Sequence, residues 1–161
     1  MVTLRPITAE NWVECVCLRV TEEQQQAGFV SPNAVSLAQA FYEPWWRPLG
    51  VYAEETMVGF FLYGRWPESD IPAHHGETQP GLDCILRVMI DARYQGKGYG
   101  FAALTLLVEQ ILVQPGCQGI ELSYEPSNQV AERLYAKIGF QPTGRLVEGE
   151  VQMILPARSG L

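Results

Sequence analysis

Along the chain the apolar positions switch between a two-residue and a helical spacing, and each switch marks an element boundary. Val2 and Leu4 alternate with Thr3 and Arg5 ahead of Pro6, which predicts an edge strand over 2–6. Thr8 offers an N-cap to a helical pattern carrying Trp12, Val16 and Val20, and Gly28, Pro32 and Asn33 break that pattern. Ser36 to Tyr42 reads as a second short helix stopped by Pro44, with Trp45 and Trp46 in a loop behind it. Val51 to Glu54 and Met57 to Tyr63 then read as a hairpin turning at Glu55-Thr56.

From Trp66 to Gly81 prolines, glycines and the pair His74-His75 replace any periodicity, which predicts a long surface loop. Leu82 to Ile90 is a nearly continuous apolar run interrupted by Arg87, the mark of a central strand, and it enters Tyr94-Gln95-Gly96-Lys97-Gly98-Tyr99-Gly100. A helix from about Phe101 to Val113 follows and ends at Pro115-Gly116. Ile120 to Tyr124 makes a strand, Asn128 to Ile138 a helix that Gly139 terminates, and Phe140 onward with Val151 to Leu155 the last strands. The alternation predicts an α/β fold without internal repeats.

At 161 residues and 47% apolar composition, the chain suits one domain, taken as 1–161, with every motif in one site. No charged n-region with an apolar run opens it, and no stretch of about 18 apolar residues occurs, so a cytoplasmic protein without a membrane partner is expected. Cys15, Cys17, Cys84 and Cys117 read as reduced and structural, since Cys-x-Cys on a helix points its thiols to different faces. A net charge of −7 leaves no basic stripe for nucleic-acid phosphates and favours a cationic substrate only weakly.

Strand, glycine-rich turn and helix together form a general anion cradle, because free backbone N–H groups and the positive helix end converge there. A P-loop requires Ser or Thr after Gly-Lys, whereas Gly98 follows Lys97. A dinucleotide fingerprint requires a third glycine where Phe101 stands. With both excluded, Gln95-Gly96-Lys97-Gly98-Tyr99-Gly100 resembles the Gln/Arg-x-x-Gly-x-Gly/Ala loop of the GNAT superfamily of N-acetyltransferases. The pattern Asn128-x-x-Ala131-x-x-Leu134-Tyr135-x-x-x-Gly139-Phe140 is similar to that family's second signature.

The resemblance implies the GNAT fold, a mixed and mostly antiparallel sheet of six to seven strands with a central splay and about four helices. It implies acetyl-coenzyme A as co-substrate and no metal, with Gln95, Gly96, Lys97, Gly98, Tyr99 and Gly100 around the pyrophosphate and Val88, Met89 and Ile90 along the pantetheine. Tyr135 would be the general acid beside the coenzyme sulfur, and Asn128 would bond the pantetheine or order the helix start. The oxyanion donor would be a backbone N–H, at Met89. An exposed Lys97 is equally expected without function.

Aminolysis of a thioester also requires a neutral amine, hence a base, and sequence leaves that base open among Glu22, Glu23, Glu54, Asp83 and Glu121. The end of the first helix is where a groove for a polycation is expected, with Glu23 as the catalytic candidate. Glu22-Glu23-Gln24, Phe29-Val30, Asn33, Ser36-Leu37-Ala38, the 44–48 loop, Val58-Gly59-Phe60, Arg87-x-Met89-Ile90-Asp91 and Gly149-Glu150 are similar to bacterial spermine/spermidine (diamine) acetyltransferases. Asp83-Cys84-Ile85-Leu86 departs from that group's central strand. A peptide N-acetyltransferase and a non-catalytic acetyl-coenzyme A sensor are the competing readings. Such enzymes are often homodimers, for which Trp45 and Trp46 would supply exposed aromatics. His74 and His75, near Asp70 and Glu77, lack regular metal-ligand spacing.

Overall fold

The computed structural model describes residues 1–67 and 81–157, so the histidine pair lies outside the described residues. Strand β1 (Val2–Pro6) leads to helices α1 (Trp12–Cys17), α2 (Glu22–Gln26) and α3 (Asn33–Tyr42). Strands β2 (Trp46–Ala53), β3 (Thr56–Gly64) and β4 (Leu82–Ile90) follow, then a 3-10 turn at Ala92–Tyr94 and helix α4 (Tyr99–Leu112). Strand β5 (Gly119–Tyr124), helix α5 (Gln129–Ile138) and strands β6 (Gln141–Val147) and β7 (Glu150–Pro156) complete it. Among the described residues the sheet has seven strands in the order β1-β2-β3-β4-β5-β7-β6. Every neighbouring pair is antiparallel except β4–β5, which is parallel.

Two apolar layers cover the sheet. Leu104, Leu107 and Ile111 of α4 pack with Phe61, Ile85, Ile120, Leu122 and Met153 on one face. Cys15 and Leu18 from the α1 region pack with Trp46, Phe60, Leu62 and Met89 on the other. Phe60 and Phe61 are both fully buried on opposite faces of β3, as period-two alternation requires when helices cover both sides. Burying one such side chain contributes about 1.5–3 kcal/mol.

The first third departs from expectation. The helix expected from Thr8 to Val20 is cut to α1, capped at Asn11, and Leu18 leaves it in extended conformation at ψ 142°. Thr21 then starts α2 with a complete capping box, its hydroxyl accepting from Gln24 N while the Gln24 side chain accepts from Thr21 N. Helix α3 begins at Asn33, not Ser36, and five helices are present among the described residues where about four were expected. Trp46 is not in an exposed loop: it begins β2, is 3% exposed, and donates its indole N–H to Glu43 at 2.7 Å. The hairpin turns one residue earlier than expected, at Glu54-Glu55, with Glu54 left-handed at φ 55°.

Candidate active site

Strands β4 and β5 pair only through Leu82↔Gly119, Asp83↔Ile120 and Cys84↔Glu121. Beyond that point β4 continues to Ile90 and β5 to Tyr124 with no shared ladder, so the sheet splays open at its centre. A cavity of about 1000 Å³ occupies the opening. Val88, Met89 and Ile90 line it from the β4 side, where β3 holds them in register with Phe61, Phe60 and Gly59.

The glycine loop closes one end of this cavity. Gly96 and Gly98 have φ of 74° and 82°, a region that disfavours side chains, and Gly98 is the left-handed N-cap of α4. No side chain caps α4 and no carboxylate sits in its first turn, so its leading N–H groups are left for an anion. Gly96, Gly98, Tyr99 and Gly100 line the cavity. A Cβ on Gly100 would meet Ile90 and Leu134 at ordinary distances of 3.5 and 3.9 Å, which matches a Gly/Ala position.

Two expected cofactor contacts are placed differently. Gln95 lines the cavity, yet its amide acts as a strut: Nε2 donates to the Ile90 carbonyl at 2.9 Å and to Gln24 Oε1 at 2.8 Å. Gln24 Nε2 donates back to Gln95 Oε1 at 3.2 Å, which ties α2 to the loop. Lys97 is exposed and outside the cavity wall, with Nζ 5.5 Å from the Tyr94 ring centre. Asp91 fixes the start of the loop by accepting from Arg19 N at 2.9 Å and from Arg93 N at 3.0 Å, with the Arg93 guanidinium beside it. Burial pushes the Asp91 carboxyl up, but these hydrogen bonds and the guanidinium outweigh it and hold the group below the usual carboxylate range.

Asn128 caps α5 by accepting from Ala131 N at 3.2 Å, and two turns later the same helix carries Tyr135 into the cavity wall. Tyr135 is 6% exposed, with the rings of Tyr124 and Phe140 each 6.2 Å away. Burial first, and the charge of Glu150 second, push its phenol well above the usual tyrosine range. It therefore stays protonated at any working pH and can serve only as a donor until a strong base forms beside it.

The carboxylates divide sharply. Glu22 and Glu23 are exposed in the first turn of α2 and do not line the cavity, because that helix turns Gln24 inward. Glu54 meets the N-terminal amine at the far hairpin, and Asp83 is bound to Arg65 at 2.6 Å. Glu121 alone of the five candidates lines the cavity; it is buried and accepts from Gln152 Nε2 at 3.0 Å. Gln152 is itself oriented by the Thr143 hydroxyl, 3.0 Å from its Oε1. Sequence reasoning passed over Glu150, which lines the cavity from the start of β7 and accepts from the Ser123 hydroxyl. It also passed over Glu43 and Glu148 in the same wall, and the only cation among the described wall residues is Arg87.

Comparison with known proteins decides the family. The acetyltransferase (GNAT) family model matches residues 18–140. This chain belongs to the GNAT family and is an N-acetyltransferase. It is 34% identical over 154 residues to the spermine/spermidine N(1)-acetyltransferase of Bacillus subtilis strain 168, covering 95% of this chain and 97% of that one. An aminoglycoside N(6')-acetyltransferase type 1 of Klebsiella pneumoniae is 37% identical over 98 residues, covering 61% of this chain and 44% of that one. The fold matches the crystal structure of the aminoglycoside acetyltransferase AAC(6')-Ib in complex with coenzyme A, with a TM-score of 0.75 at 20% identity over 97% of this chain and 95% of that one. The GNAT fold with its central splay, expected from the glycine loop and the Asn128–Tyr135 helix, is thereby established.

Proposed function

We propose that this GNAT enzyme moves the acetyl group of acetyl-coenzyme A onto a primary amine of a polyamine such as spermidine or spermine. The observation that carries the reading is the composition of one continuous wall: anion loop, open β4 edge and buried Tyr135, with Glu43, Glu121, Glu148 and Glu150 against Arg87 as the one cation among the described residues. A flexible polycation gains from several carboxylates in a partly desolvated cleft, where each attraction exceeds its value in water. The 34% identity to a spermine/spermidine acetyltransferase over nearly the whole chain supports the same substrate class.

In this reading Gly96, Gly98, Tyr99 and Gly100 hold the pyrophosphate through backbone N–H groups, with Gln95 bracing the loop. Val88, Met89 and Ile90 run along the pantetheine, and the Ile90 N–H, on the splay side of β4, supports the oxyanion; the Met89 N–H expected for this role is directed at the Phe60 carbonyl of β3, because the pairing that joins Asp91 N to Val58 O alternates along the ladder. Glu150, in the same cavity wall as Tyr135 and Arg87, takes one proton from the substrate ammonium and passes it to solvent. The neutral amine then attacks the thioester carbonyl, the C–S bond breaks, and the thiolate takes the Tyr135 phenol proton. The proton shed by the nitrogen restores the phenol. Glu23, which sequence reasoning favoured as the base, is proposed only as outer surface charge that attracts the polycation. Thiol release from acetyl-coenzyme A with spermidine, spermine, putrescine, lysine and a peptide amine tests the proposal. Saturable turnover of the polyamines is expected, and turnover of the peptide alone refutes it.

A further inference from the structure

Arg87 has no evident reason to be where it is. It interrupts the apolar run of β4, lines the cavity, and buries its Nε where that N–H finds no acceptor. Its Nη1 donates to the carbonyl of its own neighbour, Leu86, at 2.9 Å. Among the described residues no carboxylate lies within ion-pair distance of it. Burial lowers its pKa, with the charge of Glu150 acting in the opposite sense. A half-buried cation without a paired anion costs the fold energy, and an apolar side chain of similar length would serve the core at least as well. For a site that takes polycations it is also a repulsive element.

The position explains the cost. Parallel pairing ends at Cys84↔Glu121, so three residues further along lie Arg87 on one lip of the splay and Tyr124 on the other. Ser123, next to Tyr124, holds Glu150 on that second lip. Arg87 is three residues from Ile90, whose N–H faces the acyl oxygen in the proposed mechanism. Arg87 lines the same cavity as Met89, Ile90 and Tyr135, so an amine at the thioester shares that space with it.

We infer that Arg87 is a specificity-determining cation that lowers the proton affinity of the amine at the splay, so that of several ammonium groups on one substrate the group beside Arg87 becomes the nucleophile. The inference rests on the polyamine reading above. A nearby like charge disfavours an ammonium and leaves a neutral amine almost untouched. The proton leaves the substrate nitrogen for Glu150, and its lone pair becomes available for the thioester carbonyl. Groups facing the site include Glu150 from β7, Glu121 from β5, Cys84 from β4, Tyr135 from α5, Glu148 from the β6–β7 turn and Glu43 after α3. The carboxylates hold the polycation as a whole, and Arg87 singles out one nitrogen of it.

The test compares Arg87→Met and Arg87→Lys with the unaltered enzyme, using spermine at saturating acetyl-coenzyme A from pH 6 to 9.5. Removing the cation should lower KM, because repulsion is gone, while kcat falls about tenfold near neutral pH and recovers as pH rises. The rising limb of kcat should move up by about one pH unit. Arg87→Lys should keep the limb in place, and unchanged melting temperatures show that both variants fold. A kcat loss of equal size at every pH overturns the inference, as does a raised KM, an unchanged kcat, or a wild-type kcat flat across the range. Absence of polyamine turnover by the unaltered enzyme would instead refute the polyamine reading. Normal turnover with an unmoved limb sinks only the role given to Arg87.

Discussion

Replacing Gly59 by Ala tests whether the splay geometry depends on one missing side chain in the strand behind it. Gly59 pairs with Val51 on β2 and Ile90 on β4, and a Cβ there would lie 2.5 Å from the Met89 carbonyl oxygen and 2.6 Å from Ile90 Cδ1. The Ile90 methyl can rotate away, but the Met89 oxygen is backbone. Real Cβ contacts stay beyond 3.0 Å, so the Met89 peptide must retreat by about 0.5 Å or β3 must bend. Overpacking of this kind costs about 1–3 kcal/mol, offset by about 0.4–1 kcal/mol of lost unfolded-chain freedom. The net of about 1–2 kcal/mol corresponds to a melting temperature lower by about 3–6 °C in a chain of this size. A reacting group displaced by 1 Å costs about 100-fold, so half that displacement of the Met89–Ile90 peptide, which carries the Ile90 N–H, should lower kcat about tenfold. Thermal melting and steady-state thiol release on the same preparation read both effects. An alanine variant with unaltered melting and kcat would refute the idea that Gly59 sets the β4 edge, and a loss of stability with full kcat would show that β3 yields instead and that Gly59 does not set the position of the Met89–Ile90 peptide.

Three further outcomes follow from the site. Tyr135→Phe should leave acetyl-coenzyme A binding intact by calorimetry and lower kcat by about 100- to 10,000-fold, whereas an unchanged kcat removes Tyr135 from the acid role. Gln95→Ala deletes the two hydrogen bonds at 2.8 and 3.2 Å that link α2 to the loop and the 2.9 Å bond to the Ile90 carbonyl, so faster amide exchange over Glu22–Gln26 and a raised KM for acetyl-coenzyme A are expected; exchange confined to the loop would refute the strut. Burial pushes the Cys15 thiol up to about 12, so folded and unfolded chains both hold its proton below the ordinary thiol range. Above about pH 8.5 the unfolded chain releases that proton first, and stability should fall by about 1.4 kcal/mol per pH unit towards the folded value, a slope that urea unfolding at stepped pH should find reduced in Cys15→Ala.

The errors in reading the fold all lie in the first third, where the residues that decide structure are polar and their partners distant. Thr8 does sit before a helical pattern, but Asn11 takes the cap. The Asn11 Oδ1 accepts from Thr8 N at 2.7 Å, and its Nδ2 reaches the Pro6 carbonyl at 3.1 Å and the Tyr52 hydroxyl at 3.2 Å. The last contact crosses from the helix start to β2 and no spacing announces it. Thr21-x-x-Gln24, in contrast, is a capping-box signature legible in the sequence, and it would have divided the helix. Trp46 was hidden by the prolines around it. Pro48 is tolerated because β1 pairing stops at Pro6↔Leu49, so its missing N–H breaks no ladder on that side.

What sequence could and could not say about the site follows from how each part is built. The glycine loop and the Asn128–Tyr135 helix are local devices: left-handed φ at Gly96 and Gly98, a cap at Asn128 and two turns of helix fix their own geometry within a few residues. The acid wall is not local. Glu43, Glu121 and Glu150 meet because β7 inserts between β5 and β6 and the chain end of α3 folds over the same opening. Glu121 pairs across β5–β7 with Ile154, and Glu150 faces Val147, so no fixed spacing links the two carboxylates. Glu23 shows the converse. An acidic pair beside a predicted helix end looked suitable for a cation, yet α2 is only five residues long and its inward position belongs to Gln24. Arg87 carried the clearest unread signal, because a charge inside a central apolar strand demands either a partner or a function. Among the described residues it has no ion-pair partner, and that leaves the function as the thing to test.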